Sequence, residues 1–285
     1  MTPSDAVIVR LQTVEASTRT FLREVNKAQI DELTADAGKA SLSALRAAEL
    51  FTWRSDLAKA ALVAGQGLPS PVTLSEGLMP CENGLYLFEA PLHLPGSGYP
   101  VSALSWCAFG GYSLVNAYTT TEPSKLPRFG PLWSFACYVL QHGQDVDVAS
   151  AEDVRKVGTD NDFDMRKGGG SVNRFLVSSW LWLSQRVMVV GKETGNRASR
   201  KLADRAQMSS SVNVVILRRA DRSLDPHADT SAIEWNCQWL VRGHWRQQYY
   251  PSTGERRPLW IEPYVKGPDD KPFKAPVETV FAVNR

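Results

Sequence analysis

Apolar residues in the first part of the chain recur at spacings of three and four. From about Asp5 to Leu33 the positions Leu11, Val14, Phe21, Leu22 and Val25 keep that spacing, with no proline after Pro3, the pattern of a long amphipathic helix. Leu42, Leu45, Ala48, Phe51 and Leu62 repeat it between Ser41 and Val63, after a break at Asp36 to Lys39 around Gly38. The pair predicts an antiparallel helical hairpin over residues 1–66. It either packs on its own chain or serves as a dimerisation or partner-binding coil. Gly65 to Pro71, with two Gly and two Pro, marks a boundary, and residues 72–285 read as one α+β domain.

Past the boundary the period changes. Gly84 to Ala90, Val101 to Phe109, Tyr112 to Tyr118 and Leu132 to Leu140 are short, aromatic-rich and separated by Gly or Pro, as strands of an antiparallel sheet are. Glu122 to Pro131 joins two of them, and the polar stretch Asp145 to Gly170 is expected at the surface. Ser171 opens a helix with Val172, Phe175, Leu176, Leu183 and Val187 on a broad apolar face beside Trp180 and Trp182, central to the core. A short basic helix, Asn196 to Gln207, precedes a strand at Val212 to Arg219. Strands at Ile233 to Arg246 and Pro258 to Lys266 flank a Tyr250 to Gly254 turn, and Val277 to Val283 closes the chain. The fold class is therefore α+β: an N-terminal helical hairpin, then antiparallel sheet with packed helices, with a C-terminal sheet subregion at about 211–285.

Composition narrows the function classes. The 285 residues carry 32 Lys+Arg and 30 Asp+Glu, so no global charge selects a polyanionic partner; 43% hydrophobic and 22% charged residues exclude wholesale disorder and an isolated coiled coil. The start, MTPSDAVIVRLQ, lacks the basic and apolar segments of a secretory signal. The most apolar run, Phe175 to Val190, is interrupted by polar residues and falls short of the roughly 20 residues that cross a bilayer. Cys81, Cys107, Cys137 and Cys237 form no C-x-x-C pair, which predicts reduced thiols in a cytoplasmic protein with no zinc ribbon and no membrane partner. No cofactor motif is present. Charge is uneven along the chain: residues 192–274 hold 15 Lys+Arg against 10 Asp+Glu, and residues 1–191 hold 16 against 19.

The segment Ile233 to Arg246 carries the sharpest chemical signal. Strand side chains alternate faces, so Trp235, Cys237, Trp239, Val241, Gly243 and Trp245 share one side. Arg242, His244 and Arg246 share the other, at intervals of about 7 Å, twice the rise per residue. On the partner strand Trp260, Tyr264 and Lys266 fall on one side together with Glu262, while Tyr249, Tyr250, Arg256 and Arg257 line the connection. Arginine binds phosphates in bidentate fashion and flat rings stack on bases, so cations interleaved with aromatics predict a site for single-stranded DNA or RNA. The plain alternative is that Arg242 and Arg246 pair with Glu234, Glu262, Asp269 or Asp270 while the tryptophans are core. A catalytic alternative uses His244 as an acid or base in phosphodiester cleavage, with Arg242 or Arg246 stabilising charge and Tyr249 or Glu262 as second group.

Three further motifs are weaker. Glycines in RKGGGSVNR, Arg166 to Arg174, precede a helix that Ser171 would cap, either an anion site or a capped linker, and the order of a P-loop is absent. Asp160, Asp162 and Asp164 mimic the start of a calcium loop, but Met165 replaces the turn glycine and Ser171 the bidentate Glu, so no metal site is expected. His93, His142 and His227 are isolated. Arg197, Arg200, Lys201 and Arg205 cluster on one helical face that either grips phosphates or is simply solvated.

The string RGHWR at Arg242 to Arg246, then Tyr250-Pro251 and RPLWIEPYVKGPDDKP at Arg257 to Pro272, resembles a C-terminal signature of uncharacterised proteins from actinobacteria and their phages or mobile elements. The resemblance covers about thirty residues and implies a phage-type context for nucleic-acid handling or for blocking a host or competitor protein. The expectation carried forward is a nucleic-acid-binding protein. Its alternatives are a nuclease or nucleotide-processing enzyme using His244, and a protein-interaction factor with a host partner.

Overall fold

The computed structural model describes residues 1–26, 32–70, 78–109, 111–120, 131–141, 143, 145, 165–185, 188–217, 239–241, 243–268 and 271. The chain divides into two compact units, Met1–Arg218 and Arg219–Arg285. The first unit contains helices α1 (Pro3–Asn26), α2 (Glu32–Ala47), α3 (Ser55–Gln66), α4 (Met165–Ser184) and α5 (Arg197–Arg205). Its strands are β1 (Glu49–Trp53), β2 (Asn83–Leu92), β3 (Val101–Phe109), β4 (Tyr112–Thr120), β5 (Leu132–Gln141), β6 (Met188–Thr194) and β7 (Ser211–Leu217). This is an α+β fold, as the sequence predicts.

The N-terminal hairpin needs correction. Thr2 and Asp5 cap α1 reciprocally, the Asp5 amide donating to the Thr2 hydroxyl and the Thr2 amide to the Asp5 carboxylate. The predicted break at Asp36 to Lys39 lies inside α2, where Gly38 lets the Phe21 ring of α1 approach within 2.6 Å of where a Cβ would stand. The predicted second helix is in fact α2, strand β1 and helix α3. β1 lies between β2 and β7 in the sheet, so the boundary read at Gly65 to Pro71 falls within the first unit. The reason is burial on both sides: four of the five β1 residues are buried, which leaves no alternation for a strand to announce itself by.

The sheet has seven strands in the order β5-β4-β3-β2-β1-β7-β6 and is mixed rather than antiparallel throughout. β1 runs parallel to both β2 and β7, a geometry that requires crossovers, here through α3 on one side. On one face Leu50, Leu85, Leu87, Ala103, Tyr118 and Val212 pack against Ala6, Val7 and Val14 of α1, Leu45 of α2 and Ala203 of α5. On the other, Trp53, Tyr86, Phe88 and Trp106 stack edge-on or tilted against one another and against Phe175 and Trp180 of α4. Helix α4 is buried on nearly every side because α3 covers its back: the Ser178 hydroxyl donates to the Ala61 carbonyl at 2.8 Å, and Gly65 abuts the Arg174 backbone. The glycines Gly168 to Gly170 lie within α4 rather than ahead of it, so no helix starts at Ser171 and both alternatives read there, the anion site and the capped linker, fall.

One buried charge bears on stability. Arg10 of α1 is fully buried and donates to the Ala48 carbonyl past the end of α2 and to the Ser209 carbonyl ahead of β7. Burial lowers its pKa to about 10. It ties α1 to the C-terminal end of α2, where helix carbonyls lack partners of their own.

The second unit contributes β8 (Trp239–Val241), β9 (His244–Tyr250), β10 (Glu255–Ile261) and β11 (Tyr264–Lys266), as two antiparallel pairs, β9 with β10 and β8 with β11. The continuous strand predicted over Ile233 to Arg246 is interrupted at Gly243, and its first six residues lie outside the described ones. Its partner breaks at Glu262-Pro263, since proline supplies no amide to the ladder. The turn is where expected, at Pro251 to Gly254. The Gly254 amide donates to the Tyr250 carbonyl at 2.9 Å, and Gly254 takes φ +68, which favours glycine. The strand read at Val277 to Val283 also lies outside the described residues.

Candidate nucleic-acid interface

The β9–β10 register sorts the candidate residues. Tyr250 faces Glu255, Gln248 faces Arg257, Arg246 faces Leu259 and His244 faces Ile261, which places His244, Arg246, Tyr250 and Arg257 on one face of the hairpin. Trp245 faces Trp260 and Tyr249 faces Arg256, and these four occupy the other face with Gln247 and Pro258 between them. The expected division holds within β9, where His244 and Arg246 stand on the side opposite Trp245, and fails at β10, where Trp260 leaves the Arg246 side and Arg256 joins the Trp face. Trp260 lies on the face opposite Arg246, because the hairpin register pairs it with Trp245. Guanidinium groups stand on both faces.

Tyr249, Tyr250, Arg256 and Arg257 were expected in the connection. They stand instead at the paired ends of β9 and β10, held by the ladder rather than by a loop. Arg242 lies outside the described residues, so its alignment with His244 and Arg246 does too. Tyr264 and Lys266 belong to the other strand pair, opposite Val241 and Trp239. Arg242 and Arg246 were one possible set of ion pairs with Glu262, Asp269 and Asp270. Among the described residues Arg246 makes no ion pair and donates to the amide oxygen of Gln248. Asp269, Asp270 and Glu234 lie outside the description.

The two faces differ in what they offer. On the Trp face the indoles of Trp245 and Trp260 meet edge to face, 5.1 Å between centroids, and the Arg256 guanidinium lies 5.8 Å over the Tyr249 ring. Trp260 lies against Gly243, where a Cβ would come within 2.5 Å of its ring, so Gly243 is a packing requirement. Tyr249 is 47% exposed. On the opposite face Arg257 is committed to Glu255, its Nη2 at 2.7 Å from a carboxylate oxygen, an exposed pair of small energetic weight. His244 is exposed, opposite Ile261 on an open strand.

The charge arithmetic changes meaning once the units are separated. Residues 219–285 contain ten Lys+Arg against nine Asp+Glu, so the basic excess of 192–274 does not belong to the second unit as a whole. Much of it comes from Lys192 and from the four cations of α5. Among the described residues no group of His, Cys, Asp or Glu could hold a metal ion; His93 is exposed, while His142, His227 and Asp160 to Asp164 lie outside the description. No described helix is long and apolar enough to cross a membrane.

No family model matches the chain, and no curated protein matches it. Among solved structures the crystal structure of AcrVA2 is similar, with a TM-score of 0.38 and 12% identity over 89% of this chain and 85% of that one. At that score and identity the likeness says nothing of a ligand or partner for this chain.

Proposed function

We propose that the protein binds single-stranded nucleic acid through the Trp245, Trp260, Tyr249 and Arg256 face of the β9–β10 hairpin, with Arg246 on the reverse face adding attraction for phosphate. The observation that carries the reading is the Arg256 guanidinium over the half-exposed Tyr249 ring, in line with the Trp245–Trp260 pair. Stacking surfaces for bases and a cation for the backbone are the two requirements of strand binding without base-specific contacts. Arg246 and Arg256 make no ion pair among the described residues, so neither must give up an acidic partner to meet a phosphate. The phage or mobile-element context suggested by the RGHWR signature is in keeping with this role.

The test is titration of the full chain with fluorescent DNA and RNA single strands at several salt concentrations. Affinity is expected to fall steeply with salt. Tyr249→Ala with Arg256→Ala should weaken binding by about 1–3 kcal/mol from lost stacking, and by more with the lost cation. Absence of binding at low ionic strength removes the proposal. Turnover of the strand that is lost in His244→Ala while binding persists would move the reading to a nuclease. Co-purification with one protein, unchanged by nuclease treatment, would move it to a protein-interaction factor.

A further inference from the structure

The cations of α5 form a second surface, in the first unit and independent of the hairpin. Asn196 caps the helix by accepting from the Ser199 amide at 2.9 Å, and its own amide donates to the Ser4 hydroxyl of α1 at 2.8 Å. Ser199 and Ala203 are the buried positions, and Ala203 joins the core beneath α1. At 100° per residue the buried direction fixes the outer one: Arg197, Arg200, Lys201 and Arg205 project within an arc of about 140° on the side away from the unit. All four are exposed, and none makes an ion pair among the described residues. Asp204 stands between Arg197 and Arg200 on that arc, so the face carries four positive charges and one negative.

We infer that α5 docks on the phosphate backbone of duplex nucleic acid. Three of the four cations are arginines, whose planar fork matches phosphate oxygens in pairs. At 1.5 Å rise per residue the four span about 12 Å along the axis, in steps of about 4.5, 1.5 and 6 Å, which lays a row of cations along a rod rather than a single anion pocket. No aromatic ring stands on the helix, so it offers nothing for unstacked bases, in contrast to the hairpin. A protein partner would be anchored by aromatic or apolar side chains at the centre of the patch, and only Leu202 at its margin is of that kind. A lipid surface would need the apolar side of the helix, which is already packed against α1.

The experiment measures binding of the full chain to a short DNA duplex across a salt series, beside the single strand used for the hairpin. The wild type is expected to bind the duplex at low salt. The variant R197A, R200A, K201A, R205A should lose duplex affinity at least about tenfold and show a salt slope reduced by about 3 to 4, while single-strand binding is kept. Should that variant fail to fold, Asp204→Arg supplies the converse test: removing the one opposing charge should tighten duplex binding and steepen the salt slope. No duplex binding by the wild type, an unchanged quadruple variant, or an unchanged Asp204→Arg variant overturns the inference. So does capture of an acidic protein through α5 without duplex binding. If the hairpin variant keeps single-strand binding while the α5 variant loses the duplex, the hairpin proposal falls and this one stands.

Discussion

Tryptophan occurs in two settings in this protein, and the contrast separates scaffold from surface. In the first unit Trp53, Trp106 and Trp180 are each 1% exposed or less, closed between the sheet and α4. In the second unit Trp245 and Trp260 make an edge-to-face pair of the same kind while remaining partly open on a two-stranded hairpin. A two-stranded hairpin has little area to bury, so its rings add less to stability than those of the first unit.

Trp106 and Trp260 represent the two settings. Trp106→Ala should cost about 3–5 kcal/mol, from the cavity under α4 and the stranded Cys81 carbonyl that its indole N–H now satisfies at 3.0 Å. Trp260→Ala should cost about 1 kcal/mol and cut strand binding instead. Denaturant melts and the oligonucleotide titration, run on both variants, check the pair; equal destabilisation would erase the distinction between the two settings.

An alkaline melt probes the buried unit alone. Burial raises Cys81, Cys137 and Tyr138 each to about 12, so the folded state holds protons that the unfolded chain releases at lower pH. A raised folded value means full stability below the unfolded value, about 9 for a thiol, and progressive loss from there toward 12. Melting temperature should fall across that window, and Cys137→Ala should flatten the decline. Arg10, shifted down by burial, works in the opposite direction at the upper end and does not cancel the thiols near 9 to 10.

The smallest expected effect lies at the end of α5. Gln207 takes φ 56, a left-handed conformation that costs a side-chain-bearing residue about 1 kcal/mol, and Gln207→Gly should recover a fraction of that in Tm without touching duplex binding. A loss of duplex affinity in that variant would tie the orientation of the basic face to this turn.

The chain announces some of this in advance, and the reasons differ by element. β3 is legible to the residue, Val101 to Phe109, because glycine and proline bracket it, and α5 is legible through Asn196 as its cap. β1 is hidden: Leu50, Phe51 and Trp53 also satisfy a helical spacing, and burial on both faces leaves no polar alternation. β6 is hidden because its valines continue the apolar run of α4. Arg10 is invisible as a core residue, since only the tertiary fold brings the Ala48 and Ser209 carbonyls to it. In the hairpin the residue types and the sides within β9 were legible, and the sides of β10 relative to β9 were not. Period-two counting places His244 and Arg246 opposite Trp245 within β9, but it cannot give the register between two strands, and that register puts Trp260 and Arg256 on the Trp245 side.

β1 sits between β2, which follows it by some thirty residues, and β7, which arrives only at Ser211. During synthesis the strand therefore spends most of the first unit's emergence with one row of amides and carbonyls unmatched, in the middle of what will become the sheet. A nascent chain stopped before Ser211 carries a sticky, apolar border where the finished sheet has an inner strand. The last two strands of the unit act as its seal, and shortened products lacking them should be substrates for chaperones rather than smaller working proteins.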